Sequence, residues 1–247
     1  MNTSFYNAYT ALQAYQLGLG VISNNIANVN TVAYKTDKSS FEDCIYTEMH
    51  VHIRPEDLLQ GHGVKLSQVG KTFNQGSFSM TNNATDFAIS DEDYFFQFEK
   101  PDGTRVFSKA GNFSLSVEDE GVFLVNGEGY YVLDADGERI PLEEASDGTL
   151  DTDQLVDTIG LFKFNNKYEL TKDGGNNYMA TEKSGVAEAA DLTKRRQILK
   201  QGSLEDSATD LADEMVDLII YQRAFQANST MNQTADEIED IVNHLRR

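Results

Sequence analysis

Residues 3–30 read TSFYNAYTALQAYQLGLGVISNNIANVN, and an apolar or small side chain recurs in them every three or four positions. The recurring residues are Phe5, Ala8, Leu12, Tyr15, Leu19, Ile22, Ile26 and Val29. Such spacing places the side chains along one narrow stripe of an α-helix, as in the seam of a coiled coil. We therefore predict an N-terminal helix over residues 1–30 that buries this stripe against another helix.

The same segment carries no charge. Residues 1–34 contain no Asp, Glu, Lys or Arg, although these residues make up 24% of the chain. Neutral amides can be buried against protein at a lower desolvation cost than ions. We therefore predict that the amide-rich positions of this helix, Asn24, Asn25 and Asn28 among them, take part in assembly with other protein.

A second amphipathic helix is predicted near the C-terminus, over about residues 207–245. Ser207 followed by Asp210 resembles a capping box at its start. Its predicted seam consists of Leu211, Met215, Leu218, Tyr221, Phe225, Asn228, Ile238, Val242 and Leu245. Since Tyr221, Phe225 and Asn228 do not keep one register with the residues on both sides, we expect the seam to slip near the middle.

The region between the helices is typical of short strands joined by tight turns. Asp-Gly and Asn-Gly pairs recur between β-rich runs, which is a strong hairpin signal. The predicted strands are Phe87–Ile89, Tyr94–Phe98, Arg105–Ser108, Phe113–Val117, Val122–Val125, Tyr130–Leu133, Thr158–Phe164 and Tyr178–Thr181. Many short strands at such spacing indicate an all-β barrel or sandwich.

The predicted fold class is thus α+β, with long terminal helices forming a coiled-coil-like α domain around a central all-β domain. Its segments are an N-terminal helix (1–30), a connector (31–60), a β-rich outer region (61–202) and a C-terminal helical segment (203–247). The connector is compatible with a strand, a helix or a lid, and the sequence leaves these alternatives open.

Composition excludes several classes of protein. The formal net charge of −20 argues against binding of nucleic acid or of anionic membranes. A single cysteine, Cys44, excludes an intramolecular disulfide. No apolar run approaches the ~20 residues of a membrane span. Residues 1–30 lack the features of a cleaved signal peptide, so we expect the protein to be cytoplasmic or exported by another route.

No catalytic, cofactor or metal site is predicted. His50, His52 and His62 match no zinc spacing. The acidic triplet Asp91–Asp93 is typical of an exposed turn, and Asp134–Glu138 copies only part of a calcium loop. With no nucleophile or acid/base pair to name and no small-molecule substrate implied, the sequence indicates a structural protein rather than an enzyme.

Motifs at both ends resemble a known family. Val21–Asn28 (VISNNIAN) precedes Thr31–Lys35 (TVAYK). Near the other end stand Gln201–Glu205 (QGSLE), Asp210–Met215 (DLADEM) and Tyr221–Asn228 (YQRAFQAN). Together they are similar to the paired terminal signatures of bacterial flagellar rod and hook axial proteins. Two departures stand out, since Ala33 replaces a common glycine and Asp91–Asp93 replaces a glycine-containing turn.

The resemblance implies a structural subunit of the flagellar basal-body rod, most like a distal-rod or neighbouring rod protein. It implies a hollow, torque-transmitting tube polymerised through the terminal helices, with the β region facing outward. The implied partners are copies of the same chain, other rod and hook proteins, and the flagellar type III export apparatus, which would act without a cleaved signal. Two alternatives remain, namely a hook or hook-associated subunit, and an exported glycan-binding protein or enzyme with helical arms.

Overall fold

The structure is a computed structural model, and it describes residues 3–48, 59–118, 121–142 and 155–245. The chain divides into two compact units. The helical unit comprises Met1–Ala27, Asp37–Lys71 and Asp210–Arg247. The β unit comprises Asn28–Thr36 and Thr72–Thr209.

The described residues contain four α-helices and one short 3₁₀ helix at Lys167–Glu169. The α-helices are α1 (Thr3–Ala27), α2 (Leu155–Thr158), α3 (Leu192–Ile198) and α4 (Leu211–Leu245). The strands are β1 (Asp37–Asp43), β2 (Tyr46–Glu48), β3 (Leu59–Gly61), β4 (Val64–Lys71), β5 (Phe78–Met80), β6 (Phe87–Ile89), β7 (Tyr94–Glu99), β8 (Arg105–Ser108), β9 (Ser114–Glu118), β10 (Gly121–Val125), β11 (Tyr131–Val132), β12 (Pro141–Leu142), β13 (Leu161–Lys163), β14 (Thr171–Gly174), β15 (Asn177–Met179), β16 (Glu188–Ala189), β17 (Leu199–Gln201) and β18 (Ser203–Glu205).

The helical unit combines the two long helices with two antiparallel strand pairs, β1 with β4 and β2 with β3. The connector 31–60, which the sequence left open, contains strands β1 and β2 and the start of β3 in its described part, with turns and irregular backbone between α1 and β1. Strand β4, expected in the β-rich segment 61–202, falls in this unit because it pairs with β1 along its length and packs against α1.

The start of α4 differs from its prediction. The helix begins at Leu211, and the Asp210 side chain accepts hydrogen bonds from the backbone N–H groups of Ala212 (2.9 Å) and Asp213 (3.4 Å). Asp210 is therefore the N-cap. Ser207, which we expected at this position, instead accepts a hydrogen bond from the backbone of Thr209. Both are good capping residues, so sequence alone did not separate them.

The β unit is organised around an antiparallel ten-stranded sheet. Its main path runs β12-β10-β11-β7-β8-β15-β14, with β9, β13 and β16 attached beside it. Because the path begins and ends at different strands, the described sheet does not close into a barrel. Strand β7 is buried on both faces, with Phe96 and Phe98 in one apolar cluster and Phe95 in another.

The α+β prediction is confirmed, and most predicted strands are present. Strands β6 and β8 have their predicted bounds, and β7, β9, β10, β11 and β15 overlap theirs. The predicted strand Thr158–Phe164 is shorter, because α2 occupies Thr158 and only Leu161–Lys163 pair. The predicted turn at Asp147-Gly148 lies outside the described residues.

Candidate assembly interface

Within the helical unit, α1 turns its smallest side chains inward. Its buried residues are Ala8, Ala11, Ala14, Gly18, Ile22 and Asn25. Small side chains let two helix backbones approach closely, which explains why this face packs against α4 and β4. Of the predicted N-terminal seam, Ile22 and Asn25 are buried. Phe5, Leu12, Tyr15, Leu19, Ile26, Asn28 and Val29 are half-buried, and Asn24 is exposed.

Helix α4 presents an unbroken stripe to the rest of its unit. Its less exposed residues include Glu214, Leu218, Tyr221, Phe225, Asn228, Asn232 and Ala235, spaced alternately four and three apart, with Ala224 and Ser229 beside this stripe. This is heptad spacing. The described inward face therefore lacks the predicted slip, because Tyr221, Phe225 and Asn228 continue the register of Leu218.

Three aromatic rings join α1, β1 and α4. Tyr15, Phe41 and Tyr221 have ring centroids 5.5–5.8 Å apart. A Cβ atom added to Gly18 would lie 2.6 Å from the Tyr221 ring, whereas one added to Gly20 would meet nothing within 4 Å. Gly18 is thus required for tyrosine packing, while Gly20 is not.

Asn25 connects the end of α1 to the starts of β1 and α4. It is 1% exposed. Its Nδ2 donates to the Asp37 carbonyl (2.8 Å) and to Glu214 Oε1 (2.9 Å), and its Oδ1 accepts from the Asp37 N–H (3.1 Å). Burial raises the pKa of Glu214, while the hydrogen bond from Asn25 opposes this rise. One neutral amide, itself buried, thereby satisfies three polar groups of partly buried residues.

These contacts show that α1 and α4 are antiparallel and differ in length. Asn25 contacts Glu214 and Gly18 faces Tyr221, so continued pairing brings Thr3 opposite about Asp236. The rest of α4, to Leu245, extends roughly 14 Å beyond the described start of α1. We call residues 237–245 the overhang.

The overhang is apolar on one side and has no partner helix among the described residues of the unit. Its apolar residues, Ile238, Ile241, Val242 and Leu245, are 51–82% exposed. Their spacing places them on one face, whereas the intervening Glu239 and Asp240 point elsewhere. Earlier on α4, Leu211 and Met215, also part of the predicted seam, are exposed as well. An apolar stripe this exposed is typical of surfaces that other proteins cover.

Large apolar side chains are also exposed on α1. Tyr6, Tyr9 and Leu17 are each 46–58% exposed, and the helix carries no charged residue. The recurrence of small residues at positions 8, 11, 14 and 18, continued by Ile22 and Asn25, could have identified the inward face. Our prediction did not place Ala11 and Ala14 on this face, nor Glu214 on the inward face of α4, because it followed the larger side chains.

Other candidate sites have ordinary structural explanations. His62 Nε2 lies 2.8 Å from Thr47 Oγ1, while His50 and His52 lie outside the described residues. Asp93 forms ion pairs with Lys163 and Lys167, whose hydrogen bonds lower the pKa of its carboxyl group to about 2. Across the described residues, no cluster of three or more His, Cys, Asp or Glu side chains could hold a metal. In that same part of the chain, no helix is long and apolar enough to cross a membrane.

Comparison with known proteins agrees with this arrangement. A family model described as "Flagella basal body rod protein" matches residues 5–35. Another, described as "Flagellar basal body rod FlgEFG protein C-terminal", matches residues 200–245. These two matches cover α1 with the turn that follows it, and the segment from β17 to the end of α4.

Full-length relatives give the same result. The chain is 32% identical to the flagellar basal-body rod protein FlgG of Borreliella burgdorferi and 34% identical to that of Bacillus subtilis, each over 100% of both chains. It is 33% identical to the rod protein FlgF of Mesorhizobium japonicum, over 99% of this chain and 98% of the relative. All three are named as rod proteins, and none by an enzymatic activity. The chain therefore belongs to the flagellar basal-body rod protein family and is a structural subunit of the rod.

Proposed function

We propose that this subunit polymerises through α1 and α4 into the hollow, torque-transmitting tube of the rod, and that the residues predicted from both helices form its assembly surface. In this proposal the helices form a coiled-coil-like assembly region, and the β-rich region, with its sandwich-like layers, faces outward. The partners are further copies of the chain and other rod and hook proteins. The flagellar type III export apparatus delivers the chain without a cleaved signal.

The overhang is the observation that carries this proposal. Burying apolar surface contributes about 25 cal/mol per Å², and the exposed stripe of Ile238, Ile241, Val242 and Leu245 obtains less than half of this from the described residues of the subunit. A contact in which the overhang of one copy packs on a different surface of the next is heterologous. Contacts of that kind extend into helical filaments when they do not close into a ring.

Substitution in the overhang tests the proposal. Val242→Lys places a charge on the apolar face of α4, where Val242 is 56% exposed. We expect loss of polymers in negative-stain electron micrographs and in sedimentation assays. Because Val242 makes few contacts in the subunit, its free energy of unfolding should change by no more than about 0.5 kcal/mol.

Asn243→Lys is the matched control. Asn243 is exposed and one position further along, which turns its side chain about 140° from the centre of the apolar face. It adds the same charge to the same helical turn and should leave polymerisation intact. Normal polymers from Val242→Lys, or equal loss from both variants, would contradict an assembly surface on the apolar face.

The alternatives receive less support. The C-terminal family model is shared by proteins named FlgE, FlgF and FlgG, but the full-length relatives are named as rod proteins, which does not favour a hook subunit. An exported glycan-binding protein or enzyme is not favoured either. Locating the subunit within purified basal bodies would distinguish rod from hook directly.

A further inference from the structure

Three charged side chains lie in the interior of the β unit. Lys35, Lys109 and Glu205 are each no more than 2% exposed. Removing one partner of a buried ion pair leaves an uncompensated charge that strongly destabilises the fold. The positions of these three groups in the chain therefore determine which segments must be present for the β unit to complete its folded interior.

Glu205 and Lys35 form the centre of the cluster. Lys35 Nζ lies 2.6 Å from Glu205 Oε1 and also donates to the Asn74 carbonyl at 2.7 Å. The same Glu205 oxygen accepts the Gly76 N–H at 2.7 Å. One carboxylate oxygen thus binds a cation from one segment and a backbone amide from another.

The backbone around this pair is joined as well. The Ala33 N–H donates to the Glu205 carbonyl (2.8 Å), and the Ala208 N–H donates to the Tyr34 carbonyl (3.0 Å). A Cβ atom on Gly76 would collide with the Asp206 carbonyl, so glycine permits this close approach. Residues 33–35 and 205–208 are consequently tied to each other by two backbone bonds and one ion pair.

Lys109 adds a second buried cation near the single carboxylate of Glu205. Its ammonium group donates to the Asp91 carbonyl at 3.2 Å and lies 5.0 Å from the centre of the Phe95 ring. Burial, and next the charge of Lys35, lower its pKa to about 7, whereas the charge of Glu205 opposes that shift. Glu205 therefore offsets two neighbouring lysines, and loss of its charge would leave both cations less compensated.

Lys35 and Glu205 are 170 residues apart in the sequence. Lys35 belongs to the segment that follows α1, and Glu205 to the strand β18, shortly before α4. We propose that these two residues act as a clasp: the segments 28–36 and 203–209 dock onto the β unit and release from it together. The β unit then completes its folded interior only once the chain as far as Glu205 is present.

Hydrogen exchange of the full-length, unpolymerised chain tests the clasp. The Ala33 and Ala208 amides report on it, since each is bonded across the two segments. We expect Lys35→Met and Glu205→Gln each to speed exchange at both amides together, on the order of 100-fold. The double variant Lys35→Met/Glu205→Met should be less affected than either single variant, because it removes both charges of the pair at once.

Lys65→Met is the matched control, because Lys65 forms an exposed pair with Glu42 at 3.3 Å. Exposed pairs contribute little, so exchange should change by less than about threefold. If the charge-removing variants fail to fold, Glu205→Asp, which keeps the charge but shortens the side chain, should still loosen both segments together.

The clasp is refuted if a variant loosens only one segment, if neither amide changes by more than about threefold, or if the double variant is as loose as the single ones. All these readouts come from the unpolymerised chain. A failure of the clasp would therefore leave the polymerisation proposal untouched, and a failure of polymerisation would leave the clasp untouched.

Discussion

The β unit and the helical unit treat their large apolar side chains in opposite ways. In the β unit, Phe87, Phe96, Phe98 and Leu124 are fully buried within one cluster. In the helical unit the buried side chains of α1 are mostly small, and α4 leaves residues such as Ile241 more than half exposed. The β unit therefore completes a core of its own, whereas the helical unit keeps apolar surface for a neighbour.

This difference separates stability from assembly. Buried apolar area stabilises the subunit itself, while exposed area gains its free energy only on association. Changes in the β unit should accordingly affect unfolding, and changes on the outer faces of α1 and α4 should affect polymers. The following predictions test this separation, from the largest expected effect to the smallest.

The buried Lys109 should make the β unit sensitive to pH. Its pKa is about 7 when folded and near 10.5 when unfolded, so the unfolded chain binds more protons between these values. The free energy of unfolding should therefore rise with pH across this window, by up to ~5 kcal/mol, and fall as the pH returns to 7. Lys109→Met should flatten the profile in urea titrations.

Lys194→Met provides the control for Lys109, because it removes a lysine at an exposed position. This variant should keep the wild-type slope of the free energy of unfolding against pH. Equal slopes for Lys109→Met and the wild type would show that another group causes the pH dependence.

Truncating the β core should cost stability, and truncating the overhang should not. Phe96 is fully buried, with its ring centroid 5.1 Å from that of Phe113. Phe96→Ala should lower the free energy of unfolding by about 3–5 kcal/mol. Ile241→Ala, at a position 59% exposed, should change it by less than about 0.5 kcal/mol. Thermal unfolding of the unpolymerised chain compares them, and similar losses would remove the contrast between the units.

Asn25→Ala should destabilise the helical unit by about 2–3 kcal/mol. It removes the hydrogen bonds that Asn25 makes to the partly buried N–H and carbonyl of Asp37 and to Glu214, and losing the partner of a shielded polar group is costly. Gln16→Ala, at an exposed position of the same helix, should be nearly neutral. Amide exchange in β1 should accelerate only for the first variant, and an unchanged rate would show that Asn25 is not the link.

The two glycines of α1 should respond in opposite directions to alanine. Gly18→Ala pushes the Tyr221 ring away and should destabilise the unit by about 1–2 kcal/mol despite better helix propensity. Gly20→Ala meets open space and should stabilise α1 by up to about 1 kcal/mol. Circular dichroism melting curves show whether each substitution stabilises or destabilises the unit, and a change in the same direction for both would contradict the packing of Gly18 against Tyr221.

Ala33→Gly should have the smallest effect. Ala33 adopts a φ of +52°, in the left-handed region that glycine favours. The backbone thus keeps this conformation although alanine replaces the glycine common in the family. Relief of strain should be offset by lost methyl burial and greater freedom of the unfolded chain, leaving less than about 1 kcal/mol in unfolding experiments. A loss above 2 kcal/mol would show that the methyl group is essential.

Helix positions and most strands were predictable because their signals are local. Heptad spacing identified both terminal helices. Asp102-Gly103 marked the turn between β7 and β8, and Asn126-Gly127 the turn between β10 and β11. The inward face of α1 was not predictable from the larger side chains. Tyr6, Tyr9 and Leu17 place apolar groups on other faces of the same helix, so periodicity alone did not choose one face.

Within this chain, the local sequence determined where helices, strands and turns form and that the first helix carries no charge. Only the tertiary structure determined that the small residues of α1 face α4 and that α4 extends beyond the described start of α1. It also determined that Lys35 pairs with Glu205, 170 residues away in the sequence. The physical reason is the distance along the chain over which each effect acts. Propensity, capping and periodicity act within a few residues, whereas close approach and charge pairing depend on which distant segments become neighbours.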